Sequence, residues 1–497
     1  MSPAQDPRTG VPLDLDGLRG ALAGSAEPLE PLGMAGLIIG PEALDQLGEV
    51  LGSLVGSQSI GAALGERGRA RDVVVLAAAT PMTVRGAALR DAVTERMSPR
   101  HGLAWTVLGA ADGSVHADEH TVAAARKAAA GAGCVVTVGS GTITDIGKAA
   151  ASPGTPLVAV QTATSVNGYA DPFSVLLNAG VKRTTPTRWP DWLIADTDVL
   201  ADAPDRLNLA GVGDLAAMFT ATADWYLAAL LGAGGPPYSA EAAGLVRQHG
   251  EALFGLRGVA SSAGLRGDRE RLADLARLLT LSGIGMGVTG STASASGMEH
   301  AVSHLLEMAA TADDGAAATA HTSSLHGEQV GVASVVAAAT WEHVLARIEA
   351  GALGQPARLP DPDVTADRIA AAFATLDPSG AMGAECLADY TAKARLLASG
   401  PDPLATLRQA WADHGAVFAG LLTGPVELAA GLHSAGLPTR FGDLPVPVGD
   451  ALARWAVANC ARQRRRFGVA DLAMLMGAWD DDDIDAVLAA AERAGAP

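Results

Sequence analysis

The stretch CVVTVGSGTITDIGKAA, residues 134–150, decides the fold class because its pattern changes in the middle. Its first residues form an apolar, β-branched run that is typical of a buried strand. Its second half has a helical pattern, and a turn of small, hydrogen-bonding residues from Gly139 to Thr142 lies between the two. A buried strand that leads through a tight turn into a helix is the repeating unit of α/β proteins.

Similar apolar runs recur up to residue 197, and helix-like stretches separate several of them. Strands that alternate with helices predict a mostly parallel sheet. After about residue 205, long Ala- and Leu-rich helical patterns replace the strand signals. We therefore predict a loose N-terminal arm (1–35), an α/β domain with a parallel, Rossmann-like sheet (36–205) and an all-α domain (206–497). The predicted strands are GLIIG (36–40), DVVVLAAA (72–79), WTVLGA (105–110), CVVTVG (134–139), PLVAVQT (156–162) and WLIADT (192–197).

Composition excludes several classes of function. The 497 residues carry a formal net charge of −19, which disfavours nucleic-acid and anionic-membrane partners. We find neither a signal-peptide pattern nor an uninterrupted apolar run of the roughly 18 residues that a membrane span needs. Cys134, Cys386 and Cys460 are far apart, which favours a reducing compartment, so we expect a cytoplasmic protein. The acidic run 480–483 precedes a predicted helix and suits the positive end of its dipole.

The glycine turn after the strand at 134–139 has two interpretations. Glycines let the backbone approach a phosphate closely, and the free N–H groups at a helix N-terminus favour an anion. The turn lacks the full spacing of a dinucleotide or ATP-type loop. The alternative is a plain structural turn, capped by Thr142 or Thr144, with Asp145 in the first helical turn. Lys148 either reaches a ligand or pairs with Asp145.

Histidines cluster in the helical half. His300 and His304 are four residues apart and share one face of a helix. His321 and His326 follow, and Asp214 comes directly after a glycine at a predicted helix start. Imidazoles and a carboxylate in this arrangement suit a divalent metal, whereas ordinary core or surface histidines are the alternative.

Six motifs in this order resemble the sn-glycerol-1-phosphate dehydrogenases, within the superfamily of iron-dependent alcohol dehydrogenases, glycerol dehydrogenases and dehydroquinate synthases. The resemblance spans roughly residues 35 to 335. The motifs are VGSGTITDIGK (138–148), TATSVNGYAD (162–171), ADTDVLADAP (195–204), AGVGDLAAMFTATADW (210–225), SASGMEHAVSHLLEM (294–308) and HGEQVGV (326–332).

The resemblance implies NAD or NADP bound to the α/β domain and one divalent metal, zinc in the first place and iron or nickel as alternatives. It implies that Asp214, His300 and His326 ligate the metal. We assign proton exchange to His304 on its helical spacing from His300. Cofactor candidates are Gly139, Ser140, Gly141 and Thr142 at the pyrophosphate, Asp145 in the same helix, and Thr162 and Ser165 on the nicotinamide side.

The sequence departs from the family pattern near the predicted cleft. Asn167 replaces an acidic residue and can hydrogen-bond a substrate hydroxyl but cannot act as a base. Ala293 and Met218 stand where the family has arginine and lysine, which weakens the case for a phosphorylated substrate. Lys182 and its neighbour Arg183 are the alternative phosphate ligands. We expect an inserted loop after His300 and helical insertions around 230–275 and 360–420.

The cofactor's phosphate preference is open in the sequence. No acidic residue follows the second predicted strand, which ends near Arg85, so NADP is one interpretation. An ordinary surface arginine is the other.

We predict a metal-dependent, NAD(P)-linked dehydrogenase that interconverts an alcohol or polyol and its ketone or aldehyde. The preferred substrate is expected to carry less charge than glycerol-1-phosphate. The alternatives are a cyclase or lyase similar to dehydroquinate synthase and a catalytically impaired relative. The partners that we expect are a small-molecule alcohol or ketone and, in a homo-oligomer, further copies of the chain.

Overall fold

The computed structural model describes residues 15–58, 73–97, 102–109, 115–178, 181–247, 268–313, 324–358, 361–374 and 376–496. Within these ranges the main sheet has six parallel strands in the order β1-β10-β7-β6-β2-β5. Two short antiparallel hairpins, β3–β4 and β8–β9, lie outside it. The strands are β1 (Gly36–Gly40), β2 (Val73–Ala78), β3 (Thr83–Val84), β4 (Ala87–Ala88), β5 (Leu103–Leu108), β6 (Cys134–Gly139), β7 (Leu157–Gln161), β8 (Phe173–Asn178), β9 (Val181–Pro186) and β10 (Trp192–Asp196).

Helices pack around the sheet and make up nearly all the regular structure after Asp196 in the described residues. They are α1 (Leu15–Leu22), α2 (Leu47–Gln58), α3 (Leu89–Met97), α4 (Glu119–Ala129), α5 (Gly141–Ala150), α6 (Thr197–Asp202), α7 (Asp205–Leu215), α8 (Ala221–Leu230), α9 (Ala240–Arg247), α10 (Arg269–Val288), α11 (Met298–Asp313), α12 (His326–Glu349), α13 (Pro362–Ala374), α14 (Ala381–Ser399), α15 (Pro403–Leu421), α16 (Pro425–Ser434), α17 (Asp450–Asn459), α18 (Val469–Met476) and α19 (Asp481–Ala494).

The predicted fold class is confirmed: an α/β region with a parallel sheet precedes a helical region. Each predicted strand lies within two residues of an observed one, the largest difference being the earlier start of β5 at Leu103. These strands are readable because a central parallel strand is covered on both faces and is therefore apolar at every position. All six residues of β6 are buried.

The N-terminal arm is not loose from residue 15 onward. Leu15, Leu18 and Leu22 recur at helical spacing, and α1 buries all three in the core that the helices share. The Arg19 side chain donates to the carbonyl of Met34 at 2.7 Å and ties the helix to the segment before β1. Pro, Gly and Asp in this stretch concealed the leucine pattern. Residues 1–14 of the predicted arm are outside the described ranges.

The β8–β9 hairpin was not predicted. It is anchored to α5 through Asp145, whose carboxylate accepts the backbone N–H of Val175 at 3.0 Å and whose carbonyl accepts the Ser174 hydroxyl at 3.0 Å. The hairpin brings Lys182 beside the helices of the second region.

Helical structure in the second half also differs in detail from the sequence pattern. The stretch 213–231 has one continuous helical pattern, but the chain forms a short 3₁₀ turn over Ala216–Phe219 between α7 and α8. The predicted insertion at 360–420 consists of α13, α14 and α15. Most of the predicted loop after His300, together with residues 248–267 of the other insertion, lies outside the described residues.

One stretch, Pro403–Ser434, is long and apolar enough to cross a membrane by length and composition alone. In the structure it is two helices, α15 and α16, separated by residues 422–424. Leu404, Phe418 and Leu428 from these helices are fully buried in the protein core.

Candidate functional site

Three side chains from three helices converge in the cleft between the sheet and the helical region. Asp214 lies in the last turn of α7 and not at the predicted helix start. His300 comes from α11 and His326 from the first turn of α12. One ligand atom from each lies within 4.8 Å of the others. The His300 Nε2 is 3.4 Å and the His326 Nε2 3.8 Å from the Asp214 Oδ1. A carboxylate and two imidazoles facing one point are a donor set that suits Zn²⁺ or another first-row divalent ion.

Close contact between two helices places two of these residues. A Cβ added at Gly213 would overlap the carbonyl of Gly327, and one added at Gly327 would overlap the carbonyl of Ala210. Only glycine therefore lets α7 and α12 approach this closely. The neighbours of these glycines in sequence are Asp214 and His326, so the contact brings a carboxylate and an imidazole together.

Hydrogen bonds orient the two ligand candidates that are most deeply buried. The His300 Nδ1 is 3.0 Å from the Glu299 Oε1, which leaves Nε2 to face Asp214. The backbone N–H of Asn167 donates to the Asp214 Oδ2 at 2.9 Å, so Oδ1 is left for the site. Partners of this kind fix ring tautomers and carboxylate orientation in metal sites.

His326 is held by polar side chains on its Nδ1 edge. The Ser303 hydroxyl is 3.2 Å away and the Glu307 Oε1 is 3.3 Å away. A second set of potential ligands, His304 with Glu307 and His326, lies beside the first, but the Glu307 carboxylate is already paired with Lys182 at 2.6 Å.

Electrostatics keep Asp214 ionised although it is buried. Burial by itself would raise the pKa of this carboxyl, but the His300 and His326 imidazoles and the Asn167 N–H lower it below its usual value. A buried anion that faces two imidazoles is strongly stabilised by a cation among them, so the residues fit a divalent metal.

The glycine turn opens into the same cavity as the three ligand candidates. This cavity has a volume of about 240 Å³, and Ser140, Gly141 and Thr142 line it at the N-terminus of α5. Ser140 is the N-cap residue, yet its side chain makes no capping hydrogen bond. The free backbone N–H groups of this helix end therefore face the cavity that the candidate metal ligands share.

Packing is a second reason why residues 139 and 141 are glycines. A Cβ at Gly141 would lie 2.5 Å from the Val166 Cγ2, and one at Gly139 would lie 2.6 Å from Ile143. Gly139 and Thr162 do not line the cavity, and the Thr162 N–H donates to the Gly139 carbonyl at 3.3 Å. Their contact with a cofactor stays a prediction. Ser165 lines the cavity.

Lys148 does not reach the cavity. Its Nζ is 3.0 Å from Asp145 and 2.9 Å from Asp171, and it donates to the carbonyls of Gly168 and Phe173. The pairing with Asp145 is therefore observed. Asp145 lines the cavity, but its carboxylate serves Lys148 and the β8–β9 hairpin.

Asn167, His304 and Lys182, the residues that we expect to act on the substrate, all line the cavity, and each makes contacts that the sequence did not indicate. The side-chain amide of Asn167 donates to the Ser282 hydroxyl at 3.2 Å. His304 is buried, and desolvation and Lys182 hold its pKa well below the usual range, so the ring is neutral. Lys182 is neutralised by Glu307.

The cations expected from the sequence are not free to bind phosphate. Arg183, like Lys182, pairs with carboxylates, here Glu385 at 2.6 Å and Asp389 at 2.8 Å. Ala293 and Met218 are both buried.

Sequence reasoning missed Arg464 and Arg466, which contact the segment around Ala293 from the other end of the helical region. The run QRRR (463–466) was the available signal, but nothing in the sequence indicated that it lies beside Ala293. His321 lies outside the described residues.

Arg85 is partly exposed and pairs with Asp198 at 2.6 Å and Glu42 at 3.4 Å. A cofactor phosphate would have to compete with both carboxylates for the Arg85 guanidinium. The contact of Arg85 with a cofactor phosphate stays a prediction.

The α/β region of this chain is similar to the iron-containing alcohol dehydrogenases. Residues 38–204 match the sequence profile of that family. The match covers the α/β region and ends before the residues that line the candidate metal site from the helices. It confirms the predicted resemblance to the superfamily.

Particular relatives are curated as glycerol-1-phosphate dehydrogenase [NAD(P)+]. The protein from Aeropyrum pernix is 35% identical over 207 residues, which cover 41% of this chain and 54% of the relative. The one from Bacillus licheniformis is 35% identical over 227 residues, 45% of this chain and 53% of the relative. The chain thus spans about half the length of the curated relatives it matches.

Solved structures extend the likeness of fold to almost the whole chain. Glycerol dehydrogenase from Schizosaccharomyces pombe gives a TM-score of 0.55 at 13% identity, covering 95% of this chain and 93% of that one. A probable glycerol dehydrogenase from Sinorhizobium meliloti gives 0.54 at 18% identity, covering 94% and 99%. The helical region therefore has the same fold class as in these enzymes.

Proposed function

We propose that the protein is a metal-dependent, NAD(P)-linked oxidoreductase that interconverts an alcohol or polyol and its ketone or aldehyde. The observation that carries this proposal is one cavity lined both by Asp214, His300 and His326 and by the glycine turn at the start of α5. A hydride-transfer enzyme needs its cofactor and its electrophilic centre within reach of one substrate. The names of the sequence relatives support NAD or NADP as the cofactor.

The chain's own residues provide binding and orientation in this mechanism. The free N–H groups at Ser140–Thr142 would bind the cofactor pyrophosphate. Asp214, His300 and His326 would hold a divalent metal, which supplies Lewis-acid polarisation of a substrate oxygen. Asn167 fixes the Asp214 carboxylate through its backbone N–H.

Proton transfer falls to a neutral imidazole that lines the cavity. His304 is deprotonated because its pKa is held low by burial and by Lys182, so a ring nitrogen can accept a proton from a substrate hydroxyl. Asn167 cannot take this role, since an amide does not act as a base.

The test is metal analysis of the purified protein together with NADH and NADPH oxidation against a panel of ketones and aldehydes that includes dihydroxyacetone phosphate. We expect about one divalent metal per chain, zinc first and iron or nickel as alternatives, and steady oxidation of a reduced cofactor with at least one carbonyl substrate. Retained nucleotide with phosphate release and no net oxidation would instead indicate a cyclase or lyase. Bound metal and nucleotide without turnover on the whole panel would indicate a catalytically impaired relative.

A further inference from the structure

A second and larger cavity adjoins the one that contains the candidate metal ligands. Its volume is about 560 Å³, and it shares Lys182, Thr184, Thr292, Ser296 and His304 with the first cavity. No residue of the glycine turn lines it. A molecule that occupies the second cavity therefore contacts the proposed reaction site without overlapping the proposed pyrophosphate site.

This cavity is basic in a chain whose net charge is −19. Two carboxylates line it, Glu385 and Asp389, and cations outnumber them. Half of those cations are neutralised by nearby carboxylates: Lys182 by Glu307, Arg183 by Glu385 and Asp389, and Lys393 by Asp471. The cationic residues in the lining are Lys182, Arg183, Lys393, Arg464, Arg465 and Arg466.

The remaining cations are three consecutive arginines, Arg464, Arg465 and Arg466, and the hydrogen bonds of Arg464 and Arg466 all go to neutral groups. Arg464 donates to the Ser296 hydroxyl at 3.2 Å and to the Gly297 carbonyl. Arg466 donates to the Thr292 hydroxyl at 2.7 Å and to the Ser296 carbonyl. Arg465 lines the cavity and is exposed to solvent. Among the described residues, no carboxylate lies within ion-pairing distance of any of the three.

Two buried carboxylates, Asp224 and Glu299, attract these arginines from beyond ion-pairing distance, but their hydrogen bonds go to other groups. Asp224 accepts the backbone N–H groups of Met298 and Val469 at 2.9 and 3.0 Å. Glu299 accepts from the Thr220 hydroxyl at 2.8 Å and orients His300. Burial and the nearby Arg464 lower the pKa of Arg466, although the more distant charges of Glu299 and Asp224 act in the opposite direction.

We propose that Arg464, Arg465 and Arg466 form an oxyanion subsite that binds a phosphate group carried by the substrate, at the end remote from the reacting carbon. The inference rests on the proposed function and names the substrate class of that site. Guanidinium groups bind phosphate with paired, charge-assisted hydrogen bonds. Arg466 contacts Thr292 and Ser296, which flank Ala293, so it supplies from another part of the chain a cation that position 293 lacks.

The substrate explains this charge better than the cofactor does. The proposed pyrophosphate ligands, Ser140 to Thr142, line only the first cavity. The arginines line only the second, while His304 lines both. A phosphorylated carbonyl compound with its carbonyl near His304 and its phosphate in the second cavity occupies both spaces.

The experiment compares two matched substrates, dihydroxyacetone and dihydroxyacetone phosphate, in the metal-loaded protein. Arg465→Ala is the main variant because the exposed side chain contributes least to folding, and Arg466→Gln is the second. We expect each to reduce the ratio of kcat/KM for the phosphorylated over the unphosphorylated ketone at least tenfold. Arg440→Ala removes an exposed arginine that pairs with Asp443 outside the cavity, and it should leave the ratio unchanged. An unchanged ratio in both cavity variants would overturn the proposal.

Binding of inorganic phosphate separates this inference from the proposed function. Calorimetry with the metal-loaded protein, with and without saturating NADPH, needs no turnover. NADPH should displace phosphate from the glycine turn but not from the arginines. We expect the NADPH-resistant phosphate affinity to fall at least tenfold in Arg465→Ala and Arg466→Gln. If no ketone is turned over, the proposed function fails, while loss of phosphate binding in the variants still supports the subsite. Equal phosphate binding by the wild type and both variants contradicts it.

Discussion

His300 and His304 show what residue spacing can and cannot predict. The interval of four places both imidazoles on one face of α11, as the sequence indicated. Only the fold decides which of them faces Asp214, and it is His300, whose Nε2 is 3.4 Å from the carboxylate. The selecting contact is the Glu299 carboxylate on the other ring nitrogen. Glu299 is adjacent in sequence, but nothing in the sequence distinguishes it from a surface acid.

For variants of the three ligand candidates we predict a different outcome from that for variants of His304. Asp214→Ala, His300→Ala and His326→Ala should each lose bound metal and nearly all turnover while the protein stays folded, because two ligands rarely retain a divalent ion. Metal content by mass spectrometry and folding by circular dichroism provide the measurements.

His304→Ala is the matched control from the same helix face. It should keep most of the metal and lose turnover, since its proposed role is proton transfer. Full metal occupancy in any of the three ligand variants would remove that residue from the site. Loss of metal from His304→Ala would favour the neighbouring set of His304, Glu307 and His326.

At the scale of elements, the strands were readable, but the hairpin and the first helix were not. The predicted cap of α5 was wrong, because its N-cap is Ser140 and not Thr142 or Thr144. Short apolar runs located all six sheet strands. The acidic run also behaves as expected, because Asp480 is the N-cap of α19 and Asp483 returns a hydrogen bond in a capping box. The β8–β9 hairpin was not predicted because its position depends on a contact with Asp145 in α5, and local sequence patterns do not encode contacts between elements.

The turn before α5 offers a test of its two interpretations. Gly141→Ala should weaken nucleotide binding at least about tenfold, or roughly 1.4 kcal/mol, as measured by NADH and NADPH titration. Both interpretations predict this loss, because the new Cβ meets Val166 as well as the proposed pyrophosphate position. The single variant therefore cannot distinguish them.

Adding Val166→Ala to Gly141→Ala makes the distinction, since it removes the Cγ2 that the new Cβ would meet. We expect the double variant to recover thermal stability but not nucleotide affinity. Val166→Ala alone is the control. Recovery of nucleotide affinity together with stability would assign the glycine to packing only.

Across the whole molecule, Asp198 connects parts that are distant in sequence. Its carboxylate pairs with Arg85 in the β3–β4 turn at 2.6 Å and with Arg269 at the start of α10 at 2.5 Å. The cavity arginines illustrate the same limit of prediction, because they lie about 170 positions from Ser296 and Gly297 in sequence. Contacts at such separations follow from the packing of the complete helical region, and no local sequence motif predicts them.

Asp198→Asn should destabilise the protein by about 1 kcal/mol at pH 7, a modest value because both arginines are half exposed to solvent. Burial alone would raise the pKa of Asp198, but the hydrogen bonds from Arg85 and Arg269 lower it below its usual value. The stabilisation is therefore complete above pH about 4 and is lost as the pH falls through the lowered pKa.

Urea denaturation of the wild type and the variant between pH 7 and pH 3 measures this difference. The gap in unfolding free energy should narrow as the pH falls from about 4 to 3. Asp443→Asn, which removes an exposed partner of Arg440, is the control and should have a smaller effect. A gap that stays constant down to pH 3 would show that the charge of Asp198 is not its source.

The loop that contains Val166 and Asn167 touches both proposed sites within two consecutive residues. Val166 packs against Gly141, and the Asn167 N–H holds Asp214. A nucleotide that orders this loop at the glycine turn also fixes the Asn167 N–H that holds Asp214, and a bound metal acts in the reverse direction. Nucleotide and metal should therefore bind with positive cooperativity. Thermodynamic reciprocity then fixes a relation between two independent titrations: the factor by which metal tightens NADPH binding must equal the factor by which NADPH tightens metal binding. Val166→Ala, which loosens the loop against the glycine turn, should bring both factors toward one together.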